Sequence, residues 1–317
     1  MVQLNDLERQ VDEIIINVPW GHIAGKWWGS KSCRPIILLH GWQDNAGSFD
    51  PLVVELPNHI SYLAIDLPGH GLSSRIPDGM MYSMETHYLA LLLVLEHFKW
   101  DKVSLMSHSL GSVVAFYFAA NFPDKCDLLI GLDGLKPINI NYDILNRYFS
   151  FGVLQAIKAD IRNRDDSEPP SYTFDELLDK VKAGVFMEIS REAAPYLLKR
   201  AVKPSQLYPN KFYFTRDDRL RASTVPMQSH EATVKFAKNI TSPYCFIEAS
   251  ESAAMLGAFE DPKYYDEIME IMHENPNFEK HRVIGGHHVH LNECNKVSGI
   301  ISSFINKYRP PSVLSKL

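Results

Sequence analysis

The sequence is poor in the features that mark export, membrane insertion or nucleic-acid binding. It has four cysteines in 317 residues (Cys33, Cys126, Cys245 and Cys294), scattered without metal-ligand spacing. They read as reduced thiols of an intracellular protein, and a disulfide framework is not expected. The longest apolar stretches, residues 89–95 and 113–120, fall far short of the roughly 20 residues that a bilayer span requires. The opening Met1-Val2-Gln3-Leu4-Asn5-Asp6 is polar and acidic, so no secretory signal is expected. Basic residues are not in excess: 32 Lys plus Arg stand against 38 Asp plus Glu, a formal net charge of −6, which argues against a nucleic-acid partner. No internal repeat or low-complexity tract interrupts the chain. What remains is a globular composition, 45% hydrophobic and 22% charged, at a length that suits one large domain or one domain carrying an insertion.

Short apolar runs alternate with helix-length segments, the pattern of a mostly parallel α/β sheet. The spacing predicts eight strands, at residues 13–18, 22–28, 35–39, 62–65, 103–106, 128–132, 244–247 and 280–284. Continuous apolar runs such as Ile36-Ile37-Leu38-Leu39 suit strands covered on both faces. Helices are expected at 84–100, 112–121, 261–274 and 295–308. The rhythm breaks between about 136 and 226, where only helical patches appear, at 144–158, 174–183 and 192–201. The second opens on Thr173-Phe174-Asp175-Glu176, a capping box. Residues 137–225 are therefore expected to form a helical cap inserted into a core made of 1–136 and 226–317.

The sharpest local signal is Met106-Ser107-His108-Ser109-Leu110-Gly111-Ser112. A strand runs straight into a helix, with small residues two before and two after Ser109, as in a nucleophile elbow. Ser107 stands where the usual Gly-x-Ser-x-Gly form has its first glycine. The helix start supplies free amides, Leu110's among them, which favour a developing negative charge. At an earlier strand end, Leu39-His40-Gly41-Trp42 offers the amide of Trp42 as a second oxyanion donor. After the last strand, Gly285-Gly286-His287-His288-Val289-His290 supplies His287 as a general base. His287 and His290 are spaced as a metal pair could be, but no third ligand of suitable spacing follows, so neither a metal nor a cofactor is expected. Two strand ends offer an acid, Asp133 after one and Glu251 after another. Asp66 also ends a strand, but it comes too early in chain order and is expected to brace its own glycine-rich turn.

Together these motifs resemble the α/β-hydrolase superfamily from Val11 to Tyr308. They look most like the serine hydrolase-like (kraken-type) proteins of animals, on Val18-Pro19-Trp20-Gly21-His22-Ile23-Ala24, on His40-Gly41-Trp42-x-Asp44-Asn45 and on the Gly-x-His-x-Val-His end. The resemblance implies the α/β-hydrolase fold, with Ser109 as nucleophile, His287 as histidine, and Trp42 and Leu110 as oxyanion amides. Most members place the acid after the penultimate strand, a position that falls here on Ser252. The haloalkane dehalogenase branch instead carries it after the strand that follows the elbow helix. The spacing 133 − 109 = 24 is similar to that branch, which favours Asp133 and leaves Glu251 in reserve. Dehalogenases and epoxide hydrolases need an aspartate nucleophile, so Ser109 argues against both chemistries.

The expectation is thus a serine hydrolase acting on an ester-like bond of a small apolar substrate through an acyl-enzyme. His40, His108, Tyr148, Phe149 and Phe212 are candidates to line its pocket. An acyl-coenzyme A thioesterase or acyltransferase, and a catalytically slow ligand-binding homologue, are the alternatives. The tripeptide Ser315-Lys316-Leu317 reads as a peroxisomal address, with an import receptor as partner.

Overall fold

The computed structural model of the chain describes residues 10–139, 142–165, 167–182, 189–222, 228–252 and 260–311. Its centre is an eight-stranded sheet of β1 (Val11–Val18), β2 (Gly21–Trp28), β3 (Ile36–Leu39), β4 (Tyr62–Ile65), β5 (Val103–His108), β6 (Cys126–Leu132), β9 (Tyr244–Ala249) and β10 (Phe278–Val283). The order is β1-β2-β4-β3-β5-β6-β9-β10. Only β2 runs against its neighbours, antiparallel to both β1 and β4; the pairings from β4 to β10 are parallel. This is the α/β-hydrolase architecture that the strand–helix rhythm and the resemblance predict. Among the described residues, no helix is long and apolar enough to cross a membrane.

The central strands are buried on both faces, and their side chains alternate between two cores with the period of two that a pleated strand imposes. Ile37, Leu39, Leu63, Ile65, Leu105 and Leu129 point into one core. Ile36, Leu38, Tyr62, Ala64, Met106, Leu128 and Ile130 point into the other. The first core is closed by α2 (Met84–Phe98) and by α3 (Leu110–Asn121), which is buried nearly all round. The second is closed mainly by the C-terminal helix, Asn295–Tyr308, through Val297, Ile301, Phe304 and Ile305. Helix α2 starts on a capping box between Ser83 and Thr86 and ends at Phe98, where Lys99 turns left-handed, two residues short of the predicted Trp100.

Between β6 and β9 the chain leaves the sheet. It forms α4 (Tyr142–Asn163), α5 (Phe174–Lys182) and α6 (Ala194–Ala201), then a short antiparallel hairpin of β7 (Val202–Pro204) and β8 (Phe212–Phe214). The hairpin corrects the expectation of helical patches alone. Three-residue strands are too short to show a period, and Pro204 argued against one there. The expected capping box is present: Thr173 Oγ1 accepts from the Glu176 amide at 3.3 Å, and Glu176 Oε2 accepts from the Thr173 amide at 2.7 Å. Leu177, Leu178, Ile189, Leu197 and Leu198 make a separate small core.

Charged groups attach these helices to the sheet. Arg200 on α6 reaches Asp66, at the end of β4, through Nη2 at 2.8 Å and Nε at 3.1 Å. Asp66 also accepts the amides of Ala46 and Leu72 at 2.7 and 2.9 Å, so it braces its own turn and holds the insertion as well. Arg219, fully buried, pairs with Asp217 and donates to the carbonyls of Ile76, Pro77 and Met80. The tripeptide Ser315-Lys316-Leu317 lies outside the described residues.

Candidate active site

The candidate residues gather at the C-terminal ends of β3, β5 and β6 and in the loop after β10. Of the five non-glycine residues with left-handed backbone among the described residues, three lie here: Gln43 (φ 62°), Ser109 (φ 50°) and Asp133 (φ 48°). Such conformations cost on the order of 1–3 kcal/mol each and persist where surrounding structure enforces them.

Ser109 caps α3 with φ 50° and ψ −115°, its amide held to Leu132 O at 3.2 Å. The tightness of the turn explains its flanking residues. A Cβ on Gly111 would lie 2.1 Å from Leu39 O, so no larger residue fits there. Ser107 is tolerated in place of glycine because its hydroxyl donates to Ile130 O on the adjacent strand, at 3.1 Å, and so leaves no buried donor unpaired. Ser112 closes the turn by donating to Ser107 O at 2.9 Å. Gly134 also packs against Ser109, where a Cβ would come within 3.2 Å of its Cα.

Asp133 is 3% exposed and its two oxygens are fully engaged. Oδ1 accepts the Ala249 amide at 2.8 Å. Oδ2 lies 2.5 Å from the Ser252 hydroxyl and 2.5 Å from His287 Nδ1. A carboxylate against Nδ1 leaves Nε2 of the same ring as the face that can take a proton. Ser252, where the resemblance would place the acid itself, thus serves as a donor to an acid coming from β6. Glu251, the reserve acid, is exposed and joins the His287 loop through its main-chain amide, 3.1 Å from Gly285 O.

The loop after β3 carries one of the two predicted oxyanion donors, Trp42, and the other, Leu110, opens α3. His40 is sealed from solvent: Nδ1 lies 2.8 Å from Gly41 O, and Nε2 accepts the Leu67 amide at 2.9 Å. The ring therefore braces the loop and turns no free atom toward a substrate. Burial lowers its pKa against the opposing pull of Asp66. The Trp42 indole donates to Leu220 O at 2.6 Å, tying this loop to the segment just before 222.

His108, also predicted to face the pocket, is completely buried beneath His287, with its Nε2 2.9 Å from His287 O. Burial depresses its pKa to about 4. Tyr148 and Phe149 are 41% and 45% exposed on α4. Phe212 is half-buried in the hairpin, its ring 6.5 Å edge-on to Phe174. None of these three is shown against Ser109. One group escaped the sequence reading altogether. Asp44, from the His40-Gly41-Trp42-x-Asp44 stretch, lies 3.1 Å from His288 Nε2 and 3.6 Å from His108 Nδ1. These three side chains are brought together from remote parts of the chain, and neither His287 nor His290, the pair that spacing suggested, is among them.

Comparison with known proteins agrees with the fold. A family model described as alpha/beta hydrolase fold matches residues 34–167. A Drosophila melanogaster protein named "Probable serine hydrolase" is 34% identical over 302 residues, covering 93% of this chain and 88% of that protein. The human "Serine hydrolase-like protein 2" is 31% identical over 308 residues, covering 93% and 94%. Among solved structures, a hypothetical protein of Pseudomonas aeruginosa superposes with a TM-score of 0.77 at 28% identity, over 92% of this chain and 99% of the other. The thioesterase domain of the curacin biosynthetic pathway superposes at 0.72 with 18% identity, over 92% and 99%, a likeness of fold alone. The chain is an α/β hydrolase. Within that class it belongs to the serine hydrolase-like family.

Proposed function

We propose that this protein is a serine hydrolase that cleaves a carboxylic ester, or a related acyl bond, of a small apolar substrate. The observation that carries the reading is the 2.5 Å contact of His287 Nδ1 with Asp133, beside a serine held in left-handed backbone at a helix start. In this reading His287 Nε2 takes the proton of Ser109 as Oγ attacks the substrate carbonyl, and Asp133 holds the ring in the required tautomer and stabilises the imidazolium. The amides of Trp42 and Leu110 bind the oxyanion, each worth about 3–4 kcal/mol in the transition state. His287 then protonates the leaving alcohol, and water attacks the acyl-enzyme by the same proton route. Residues 137–225 act as the cap that shapes the acyl or alcohol pocket. The buried Arg200–Asp66 pair, and the bonds of Arg219 to the carbonyls of Ile76, Pro77 and Met80, support that role by tying these residues to the segments that follow β4.

A panel of p-nitrophenyl esters, with fluorophosphonate labelling read out by peptide mapping, tests this directly. Turnover and labelling at Ser109 are expected, both abolished in Ser109→Ala. A folded protein that shows neither would overturn the proposal. An acyl-coenzyme A substrate in the same panel decides between ester and thioester.

A further inference from the structure

Behind the Asp133–His287 pair lies a second set of groups that the proposed reaction does not use. Asp44, His108, His288 and His290 are 2%, 0%, 1% and 0% exposed. Asp44 Oδ1, His108 Nδ1, His288 Nδ1 and both nitrogens of His290 have no hydrogen-bond partner. An unpaired polar atom buried in this way costs about 1–3 kcal/mol, and among these five His108 Nδ1 is the one that faces Asp44 Oδ2. The proton positions sharpen the point. His287 O can only accept, so His108 Nε2 must carry the proton, and Nδ1 of the neutral ring keeps a lone pair. That lone pair faces Asp44 Oδ2 at 3.6 Å. Two acceptors therefore face each other.

Gly41 leaves space at this point. A Cβ there would lie 2.7 Å from His108 Nδ1 and 3.0 Å from Asp44 Oδ2. The ligand atoms of Asp44, His108 and His288 all fall within 4.8 Å of one another. A tetrahedral ion bonded at roughly 2.1 Å needs ligand atoms about 3.4 Å apart, and the two separations from Asp44 are already 3.1 and 3.6 Å. The third, between the two imidazoles, is within 4.8 Å. Two imidazoles and one carboxylate suit borderline ions such as Zn²⁺ and Co²⁺ rather than Mg²⁺ or Ca²⁺, which prefer all-oxygen shells. His108 also has the outer contact common to metal-bound histidines, its remaining N–H given to a main-chain carbonyl.

We propose that Asp44, His108 and His288 form a buried site for one divalent transition-metal ion. The carbonyl that His108 grips is that of His287, so occupancy tethers the loop bearing the candidate base. Ligand capture does not depend on Ser109 being the nucleophile, and the test reads binding alone. Protein stripped with chelator is titrated with Co²⁺, followed by its visible ligand-field absorption, and with Zn²⁺, followed by metal content after desalting and by the melting temperature. One equivalent of each is expected, with a tetrahedral Co²⁺ spectrum and a melting temperature raised by several degrees. Asp44→Asn and His288→Gln should each weaken retention at least 10-fold, while the exposed His97→Gln should leave it unchanged. Gly41→Ala keeps every ligand but places a methyl in the gap, and should block binding even if the other variants fold poorly; circular dichroism monitors the fold of each. Wild-type protein that retains no stoichiometric metal, or equal retention in Gly41→Ala and His288→Gln, would overturn the site.

Discussion

Asp66 and Asp133 each follow the last residue of a parallel strand, β4 and β6, and each is buried, at 0% and 3% exposure. Both accept main-chain amides. Their side-chain partners differ. Asp66 faces the Arg200 guanidinium, which stays protonated at every accessible pH and matches a carboxylate with a rigid fork. Asp133 faces the Nδ1 of the His287 imidazole and the Ser252 hydroxyl. One strand-end aspartate fastens two segments, and the other, in the proposed reaction, supports proton transfer. Position in the sheet does not distinguish them; the residue that long-range folding brings opposite does.

The comparison breaks most visibly by changing the two aspartates separately. Asp133→Asn should lower kcat on any substrate found by roughly 10⁴-fold, because the amide favours the wrong imidazole tautomer, while the melting temperature stays close to wild type. A kcat within 10-fold of wild type would show that His287 is not held by this carboxylate. Asp66→Asn should do the reverse. Leaving Arg200 without its buried partner should destabilise the fold by about 3–5 kcal/mol in urea denaturation, and the protein that remains folded should keep its turnover.

A smaller effect separates imidazole-based from guanidinium-based burial by pH. Burial, the largest cause, depresses His108 to about 4 and His87 to about 3, against an ordinary value of 6.5. Below 6.5 the unfolded chain takes up protons that these folded rings refuse. Stability is therefore complete above 6.5 and falls as the pH drops from 6.5 toward 3. At pH 5 the loss is roughly 2 kcal/mol per ring. Melting temperatures at pH 7.5 and pH 5 check it, and equal values would mean that these rings titrate normally. The smallest effect tests Asp133 alone. Ser252→Ala removes one donor from its carboxylate and should cost roughly 10-fold in kcat, about 1.4 kcal/mol, with KM little changed. A change confined to KM would place Ser252 in substrate binding instead.

Much of the fold was legible because it follows from local periods. Runs such as Ile36-Ile37-Leu38-Leu39 are buried on both faces as their continuity requires, and helix Asn295–Tyr308 has the predicted ends. Ser109 could be singled out from Ser107 and Ser112 because a strand-to-helix turn demands small residues at fixed offsets, and Gly111 meets that demand against Leu39 O. The hairpin of Val202–Pro204 with Phe212–Phe214 was not legible, since three residues carry no period. His40 is a pocket candidate in the sequence, yet the Leu67 amide, 27 positions away in the chain, occupies its ring nitrogen. Asp44 gave no sign of its neighbours for the same reason: His108 and His288 lie 64 and 244 residues further on.

The sequence by itself determined the alternation of strand and helix, the caps, and the single turn where a serine must take a left-handed backbone. Each depends on residues within a few positions of one another, where hydrophobic period and steric fit act directly. Only the tertiary structure decided which carboxylate meets His287, what Ser252 does in place of an acid, and that three remote side chains converge behind them. Those outcomes depend on how parallel strands stagger their ends and how the loops beyond them are packed, geometry that no local stretch of sequence encodes.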